Sequence, residues 1–183
     1  MEFLLLASDH SHPDDVQPNI VVPFTNDVSE PLVHKATKLN LEMQGFRPRW
    51  ERLNGTLAAD FAYDRLIRTL WAEGQPFIIV EHDILPWPGA LRELWECECA
   101  WGAFPYYIFG QFRTQLGCTK FDPAKLGACP LPDEPVHWSR LDWAIITGLL
   151  DRETGHLHQP AVTHLNAAHQ RMTSSLVILS SVS

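Results

Sequence analysis

The chain has 183 residues, a length that supports one well-cored domain and is short for two. Its apolar fraction of 45% excludes a mainly disordered protein, and no apolar run approaches the roughly 20 residues of a membrane span. A net charge of −8 disfavours broad, sequence-independent binding to nucleic acid or to an anionic membrane. The apolar start lacks the basic residue of a secretory signal, so we expect a cytoplasmic protein. Residues 19–170 are the expected domain, with residues 1–18 as an extension and residues 171–183 as a tail.

The four cysteines have an irregular spacing. Cys97 and Cys99 are two residues apart, whereas Cys118 and Cys129 stand alone. This pattern matches neither a disulfide framework nor a paired CxxC zinc site. We therefore expect reduced cysteines that serve mainly in packing.

The first half of the chain alternates strand and helix signals. The apolar run at residues 19–24 (NIVVPF) predicts a first strand, and Thr25, Asn26 and Asp27 then favour a turn. Helical spacing follows at residues 31–43 and 57–72, with a short strand predicted between them at residues 47–53. This order predicts a single Rossmann-like α/β domain, in which helices flank a mixed, mostly parallel sheet with right-handed crossovers.

Residues 77–86 (FIIVEHDILP) carry the most informative pattern. Four apolar residues in a row predict a strand that is buried on both faces, and Glu81, His82 and Asp83 follow it directly. Open α/β sheets bind ligands at the carboxyl ends of their strands, where the ends of this strand and of the first strand would meet. We therefore expect the binding site at this edge.

The second half is less regular. We expect a helix over residues 90–96, strand structure within residues 101–112, a short helix within residues 121–129, a helix over residues 139–152 and a short strand over residues 161–163.

Two carboxylates at i and i+2 of a strand share a face, so Glu81 and Asp83 form a candidate hard-oxygen site for Mg²⁺ or Mn²⁺. Imidazole also suits Mn²⁺, and three histidines at positions 156, 158 and 164 are candidates for a further ligand. A solvated strand end and structural histidines are the alternative interpretation.

Asp142 has two interpretations. Its spacing from Ser139 matches a capping box, in which the acid returns to the amide that begins the helix. Alternatively, Asp142 is a general base that points into the crevice.

Aromatic side chains are frequent near the predicted site in sequence. The candidates for sugar or nucleobase contacts are Trp87, Trp101, Tyr106, Tyr107 and Trp138, and core packing is the alternative.

Several of these features together resemble a compact GT-A fold glycosyltransferase of the bacterial or phage type. They are a first strand ending in VPFTN, an apolar strand running into EHD, a helix starting with WSRLD and a late strand ending in His164. The resemblance covers residues 19–166, and it departs from the family's DxD motif by having Glu81 in place of the first acid.

The resemblance implies a role for each matching residue. Pro23, Phe24, Thr25 and Asn26, with Glu81 and Asp83, would bind the nucleotide diphosphate. Asp83 and His164, with His158 as second choice, would hold Mn²⁺ or Mg²⁺. Asp142 would be the base of an inverting enzyme. The loop at residues 104–135, with Tyr107, Lys120 and Trp138, would shape the acceptor site, and Trp87 would also contact the acceptor.

The implied reaction moves a hexosyl or pentosyl group from a nucleotide-diphosphate sugar to an acceptor hydroxyl. The acceptor could be a saccharide, a small molecule or, in a phage, a hydroxymethylated base in DNA. Two alternatives remain: a metal-dependent hydrolase or nuclease that uses the same acids and histidines, and a nucleotide- or carbohydrate-binding module without turnover.

Overall fold

The computed structural model describes residues 17–25, 31–53, 61–108, 110–150 and 155–165. The expected tail at residues 171–183 and all but two residues of the expected N-terminal extension lie outside these ranges. In the described part of the chain, every helix is too short or too polar to cross a membrane.

Five helices are described: α1 (Pro31–Met43), α2 (Ala62–Glu73), α3 (Ala90–Glu96), α4 (Pro123–Leu126) and α5 (Trp138–Leu150). The described strands are β1 (Ile20–Thr25), β2 (Arg49–Leu53), β3 (Phe77–Val80), β4 (Ile84–Pro86), β5 (Trp101–Ala103), β6 (Tyr106–Ile108), β7 (Gln111–Arg113), β8 (Cys118–Phe121), β9 (Gly155–Leu157) and β10 (Val162–His164).

The main sheet has six strands in the order β2-β1-β3-β8-β5-β9. Parallel pairing joins β1 to β2 and to β3, and β5 to β9, whereas β8 runs antiparallel to both of its neighbours. The predicted mixed, mostly parallel α/β sheet is therefore confirmed. The central strand β8 was not predicted, because its short sequence CTKF carries two polar residues.

The sheet is covered by helices on both faces. Alternate side chains of β3 point to opposite sides: Phe77 and Ile79 pack with α2 and α5, while Ile78 and Val80 join a second cluster with α1 and α3. All four are fully buried, as the unbroken apolar run predicts. Burial of such side chains stabilises the fold by about 1.5–3 kcal/mol each.

Most predicted bounds match the structure to within two residues, and two segments differ more. Phe61 precedes α2 in a non-helical conformation, so this helix begins at Ala62 rather than at position 57. The aromatic segment at residues 101–112 divides into three short strands, of which β6 and β7 form a separate hairpin. A further small sheet pairs β10 antiparallel with β4, which brings the late part of the chain beside the end of β3.

Candidate functional site

The segment after β3 is a turn. The strand ends at Val80, and the amide of Ile84 donates to the carbonyl of Glu81 at 3.0 Å. The Thr37 hydroxyl donates to the carbonyl of His82 at 2.6 Å and fixes the turn to α1. The expected placement of Glu81 and Asp83 on one face of a strand is therefore wrong, because both residues follow the last strand residue.

Asp83 lies beside His164. The His164 Nε2 atom is 3.4 Å from Asp83 Oδ2, and the Leu165 amide donates to the Asp83 carbonyl at 2.7 Å. The His164 ring stacks on Tyr106 with 5.2 Å between ring centroids and 11° between planes. Burial lowers the pKa of His164, although the Asp83 carboxylate opposes this effect. The ring is therefore held largely in the neutral form, which is the form that binds metals.

Glu81 and Asp142 complete a group of three acids with Asp83. The Tyr63 hydroxyl donates to Glu81 Oε1 at 3.1 Å, and Asp142 Oδ1 accepts from the Leu116 amide at 3.4 Å. Burial, Asp142 and Asp83 raise the pKa of Glu81 well above its usual range. Burial also raises the pKa of Asp142 to about 6; the Leu116 hydrogen bond opposes this rise and Asp83 adds to it. A cation bound between these carboxylates would offset their mutual repulsion, so the three acids form a candidate cation site.

The capping-box interpretation of Asp142 is not supported. Helix α5 begins at Trp138, and the Ser139 amide donates to His137 Nδ1 at 3.3 Å. The Asp142 carboxylate instead accepts from Leu116, which lies just before β8. Its side chain therefore lies near Glu81 and Asp83 rather than at the start of its own helix.

The donor set of Asp83 and His164 fits a divalent cation. Two ligands about 2.1 Å from one ion and at right angles to each other are about 3 Å apart, close to the 3.4 Å found here. The buried Nδ1 atom of His164 makes no hydrogen bond among the described residues. Carboxylate and imidazole suit Mn²⁺, and Mg²⁺ commonly takes only one or two protein ligands and completes its shell with phosphate oxygens.

His158 has different neighbours from Asp83. Its Nδ1 atom is 2.7 Å from Glu93 Oε1, and its ring stacks on that of His156 with 4.3 Å between centroids. The three late histidines therefore lie in two places. His164 lies beside Asp83, whereas His156 and His158 lie near Cys97.

The prediction of reduced cysteines is wrong for one pair. Cys97 and Cys99 form a disulfide, because the bend after α3 brings their Cα atoms to 5.4 Å, within the range that a disulfide requires. Cys118 is a buried thiol in the core, as expected, and burial raises its pKa.

The end of β1 carries an aromatic group at the same edge of the sheet. Phe24 lies edge-on to His34 at 5.1 Å and to Trp50 at 6.2 Å, and the His34 and Trp50 rings are 4.7 Å apart. Pro23 and Thr25 are buried, whereas Asn26 lies outside the described residues. His82 interacts electrostatically with both His34 and His164 and so lies near both.

The aromatic residues expected at an acceptor site are exposed. Trp87 is 53% exposed, Tyr107 57% and Trp138 40%. The Trp87 indole donates to Thr163 at 3.0 Å, so it lies beside the strand that carries His164. Lys120 lies elsewhere: it is buried, and its amine donates to the carbonyls of Trp95 and Cys97 at the end of α3.

Sequence reasoning missed three side chains of this region, Tyr63, His34 and Trp50, and it named Tyr106 only as one of several aromatic residues near the site. Tyr63 belongs to the apolar stripe of α2, and nothing in that stripe distinguishes it from a core residue. Tyr106 approaches His164 because position 117 is glycine: a Cβ there would lie 2.7 Å from the Tyr106 ring.

Comparisons with known proteins relate this chain to others by fold alone. No family model and no curated protein sequence matches it. One similar structure is the crystal structure of A197 from STIV, with 7% identity and a TM-score of 0.52 over 78% of this chain and 82% of that one. Another is a glycosyltransferase involved in the glycosylation of the major capsid of PBCV-1, with 12% identity and a TM-score of 0.44 over 81% of this chain and 94% of that one.

Proposed function

We propose that this protein is a metal-dependent glycosyltransferase of the GT-A type, which moves a sugar from a nucleotide-diphosphate donor to an acceptor hydroxyl. The observation that carries the proposal is the meeting of Asp83, His164 and Asp142 at the carboxyl end of β3. These residues come from three distant parts of the sequence, and their types match the needs of one reaction. An inverting, metal-dependent transfer needs a cation site for the leaving diphosphate and a base for the acceptor hydroxyl.

The donor would lie between the acids and the end of β1. A Mn²⁺ or Mg²⁺ ion held by Asp83 and His164 would supply positive charge to the diphosphate leaving group. The aromatic group of Phe24, His34 and Trp50 offers ring surfaces for a nucleobase, at the edge where α/β sheets bind nucleotides.

Asp142 would act as the base. Its pKa of about 6 is high for an aspartate yet leaves the carboxylate ionised at neutral pH, which suits proton removal from an acceptor hydroxyl. Attack by that hydroxyl on the anomeric carbon, from the face opposite the leaving diphosphate, would invert the sugar. Glu81, which repels Asp83 and Asp142, would orient the donor beside the metal ligands.

The acceptor would bind against exposed aromatic residues. Trp87, Tyr107 and Trp138 are exposed, and aromatic rings suit contact with a sugar or a nucleobase. The net charge of −8 favours a saccharide or small molecule over DNA that carries a hydroxymethylated base.

A thermal-shift panel tests this function. Metal-stripped protein is heated with each common nucleoside diphosphate and nucleotide-sugar, with and without Mn²⁺. We expect Mn²⁺-dependent stabilisation by the diphosphates of one base, worth about 2.7 kcal/mol at ~100 times the dissociation constant. The absence of a shift with every nucleotide at saturating Mn²⁺ would contradict the proposal and leave a hydrolase or a carbohydrate-binding module as the better interpretation.

A further inference from the structure

A second group of metal-ligand side chains lies at the opposite edge of the sheet from β2. Cys97 and Cys99 are in the bend between α3 and β5, while His156 is in β9 and His158 directly follows it. The parallel pairing of β5 with β9 places Gly102 opposite His156. A C-x-C segment and an H-x-H segment, far apart in sequence, therefore meet at one place.

The potential ligand atoms are already close together. One atom each from Cys97, His156 and His158 lie within 4.8 Å of one another, the single such group of three among the described residues. The Cys97 sulfur is 4.0 Å from His156 Nδ1, and the disulfide holds the Cys99 sulfur beside it. Around a tetrahedral zinc ion, with bonds of about 2.0–2.3 Å, neighbouring ligand atoms are about 3.5 Å apart. A small contraction brings Cys97, His156 and His158 to that geometry, and the two sulfurs must move apart once the disulfide opens.

His158 is oriented as a metal ligand. It is 7% exposed, and its Nδ1 atom is held 2.7 Å from the Glu93 carboxylate. The other ring nitrogen, Nε2, is buried and makes no hydrogen bond to any described residue. A carboxylate that fixes one nitrogen of a histidine while the other is left for the ion is a common arrangement at zinc sites.

Gly102 keeps the space between these ligands open. A Cβ at this position would lie 3.0 Å from the Cys99 sulfur and 3.2 Å from His158 Nε2. Any larger residue would therefore enter the space between the two ligand atoms. Lys120, whose amine donates to the carbonyl of Cys97, holds the cysteine segment to β8.

From these contacts we infer that Cys97, Cys99, His156 and His158 form a structural zinc site in the reduced protein. Two thiolates and two imidazoles are a typical ligand set for tetrahedral Zn²⁺, and four protein ligands leave no open position for catalysis. The site is separate from the proposed Asp83 and His164 centre, which has harder ligands, and it does not depend on the proposed function.

Zinc binding requires that the disulfide open first. A phosphine reductant gives two thiols, while the phosphine takes up the oxygen of one water molecule and becomes the phosphine oxide. Zn²⁺ then displaces one proton from each thiol as it binds. Oxidation back to the disulfide, with loss of two electrons to an oxidant such as a peroxide, would release the ion.

The expected effect of the ion is to fix the edge of the sheet. The ion would join β9 to the bend before β5. His164 follows only a few residues after β9 in the sequence. Zinc binding to a preformed fold stabilises it, because the unfolded chain lacks the assembled ligands.

Metal content and cobalt spectroscopy test this site. Wild-type protein is reduced with a phosphine, stripped with a chelator, exposed to Zn²⁺ or Co²⁺ without oxygen, and desalted. We expect one zinc per chain, and with Co²⁺ the visible bands of a tetrahedral ion together with thiolate charge-transfer absorption. No retained zinc in the reduced wild type would overturn the proposal.

Matched variants locate the ion. Cys97→Ser and His156→Ala should lose the metal, and His156 is exposed, so its replacement leaves the core intact. Cys129→Ser and Asp83→Asn should retain it. Retention by His156→Ala, or loss in Asp83→Asn, would assign the ion to a different site and overturn the proposal. The nucleotide panel uses Mn²⁺ and is read separately, so either proposal can fail alone.

Discussion

His164 Nε2 lies 3.4 Å from Asp83 Oδ2, and the pairing of β10 with β4 brings together the two segments that carry these residues. The amide of Leu165 donates to the carbonyl of Asp83, so the contact is fixed by backbone as well as by side chains. A pair that is held in this way is preorganised, and an ion that binds it needs little rearrangement.

Asp83→Asn should remove the Mn²⁺-dependent thermal shift produced by the nucleoside diphosphate. Asparagine keeps the size of the buried side chain but loses the charge that attracts the ion. We expect the shift to fall to the value measured without metal, in a fluorescence melt at matched ligand concentration.

Asp133→Asn is the matched control, because Asp133 is exposed in the loop before α5. It should keep the full shift. An undiminished shift in Asp83→Asn would exclude this carboxylate as the metal ligand.

Asp142→Asn should bind the donor as wild type does and lose turnover. If Asp142 removes the acceptor proton, its loss should lower kcat by about 10²–10⁴-fold. The measurement is release of the nucleoside diphosphate from the donor identified in the thermal panel, in the presence of a mixture of sugar acceptors. Full turnover would show that Asp142 has only a structural role.

The alternation of strands and helices in the first half of the chain, and the place of the acids directly after β3, could be predicted from local patterns, whereas the partners of the acids could not. The apolar run of β3 predicts a buried strand from composition alone, and the alternation with helices predicts parallel neighbours. The strand β8 escaped prediction because Thr119 and Lys120 are polar and yet buried, the lysine through hydrogen bonds to the end of α3.

The role of Asp142 shows the same limit. Its spacing from Ser139 fits a helix cap, and only the tertiary contact with the Leu116 amide decides against that interpretation. Likewise, the resemblance ranks His164 ahead of His158 as the metal ligand, but the sequence does not show the neighbours of either histidine. The two histidines differ because Glu93 faces one and Asp83 faces the other.

The stability of the metal-free protein should depend on pH through Asp142. Its pKa is raised from 3.8 to about 6 in the folded state, so folding favours the protonated carboxyl. The resulting stabilisation is present below pH 3.8 and is lost as the pH rises through about 6. A rise of two units corresponds to up to about 3 kcal/mol.

Asp142→Asn, which cannot ionise, should therefore be more stable than wild type at pH 8, and this advantage should shrink as the pH falls to 4. Urea unfolding in a chelating buffer at several pH values measures the difference in the free energy of unfolding. Asp133→Asn should show no such trend. An advantage that grows toward acid pH would contradict the assigned direction.

Tyr63→Phe should lower both stability and nucleotide binding. The Tyr63 hydroxyl donates to Glu81 Oε1 at 3.1 Å from within the α2 packing surface, and its removal leaves a half-buried acid with one fewer partner. The lost hydrogen bond should cost about 1 kcal/mol in the free energy of unfolding. Because this hydrogen bond lowers the pKa of Glu81, its loss should also make the acid harder to ionise beside a cation.

Tyr107→Phe, which changes an exposed tyrosine, is the control and should unfold at the wild-type urea concentration. Equal effects of the two substitutions would mean that the Tyr63 hydroxyl contributes nothing to the site.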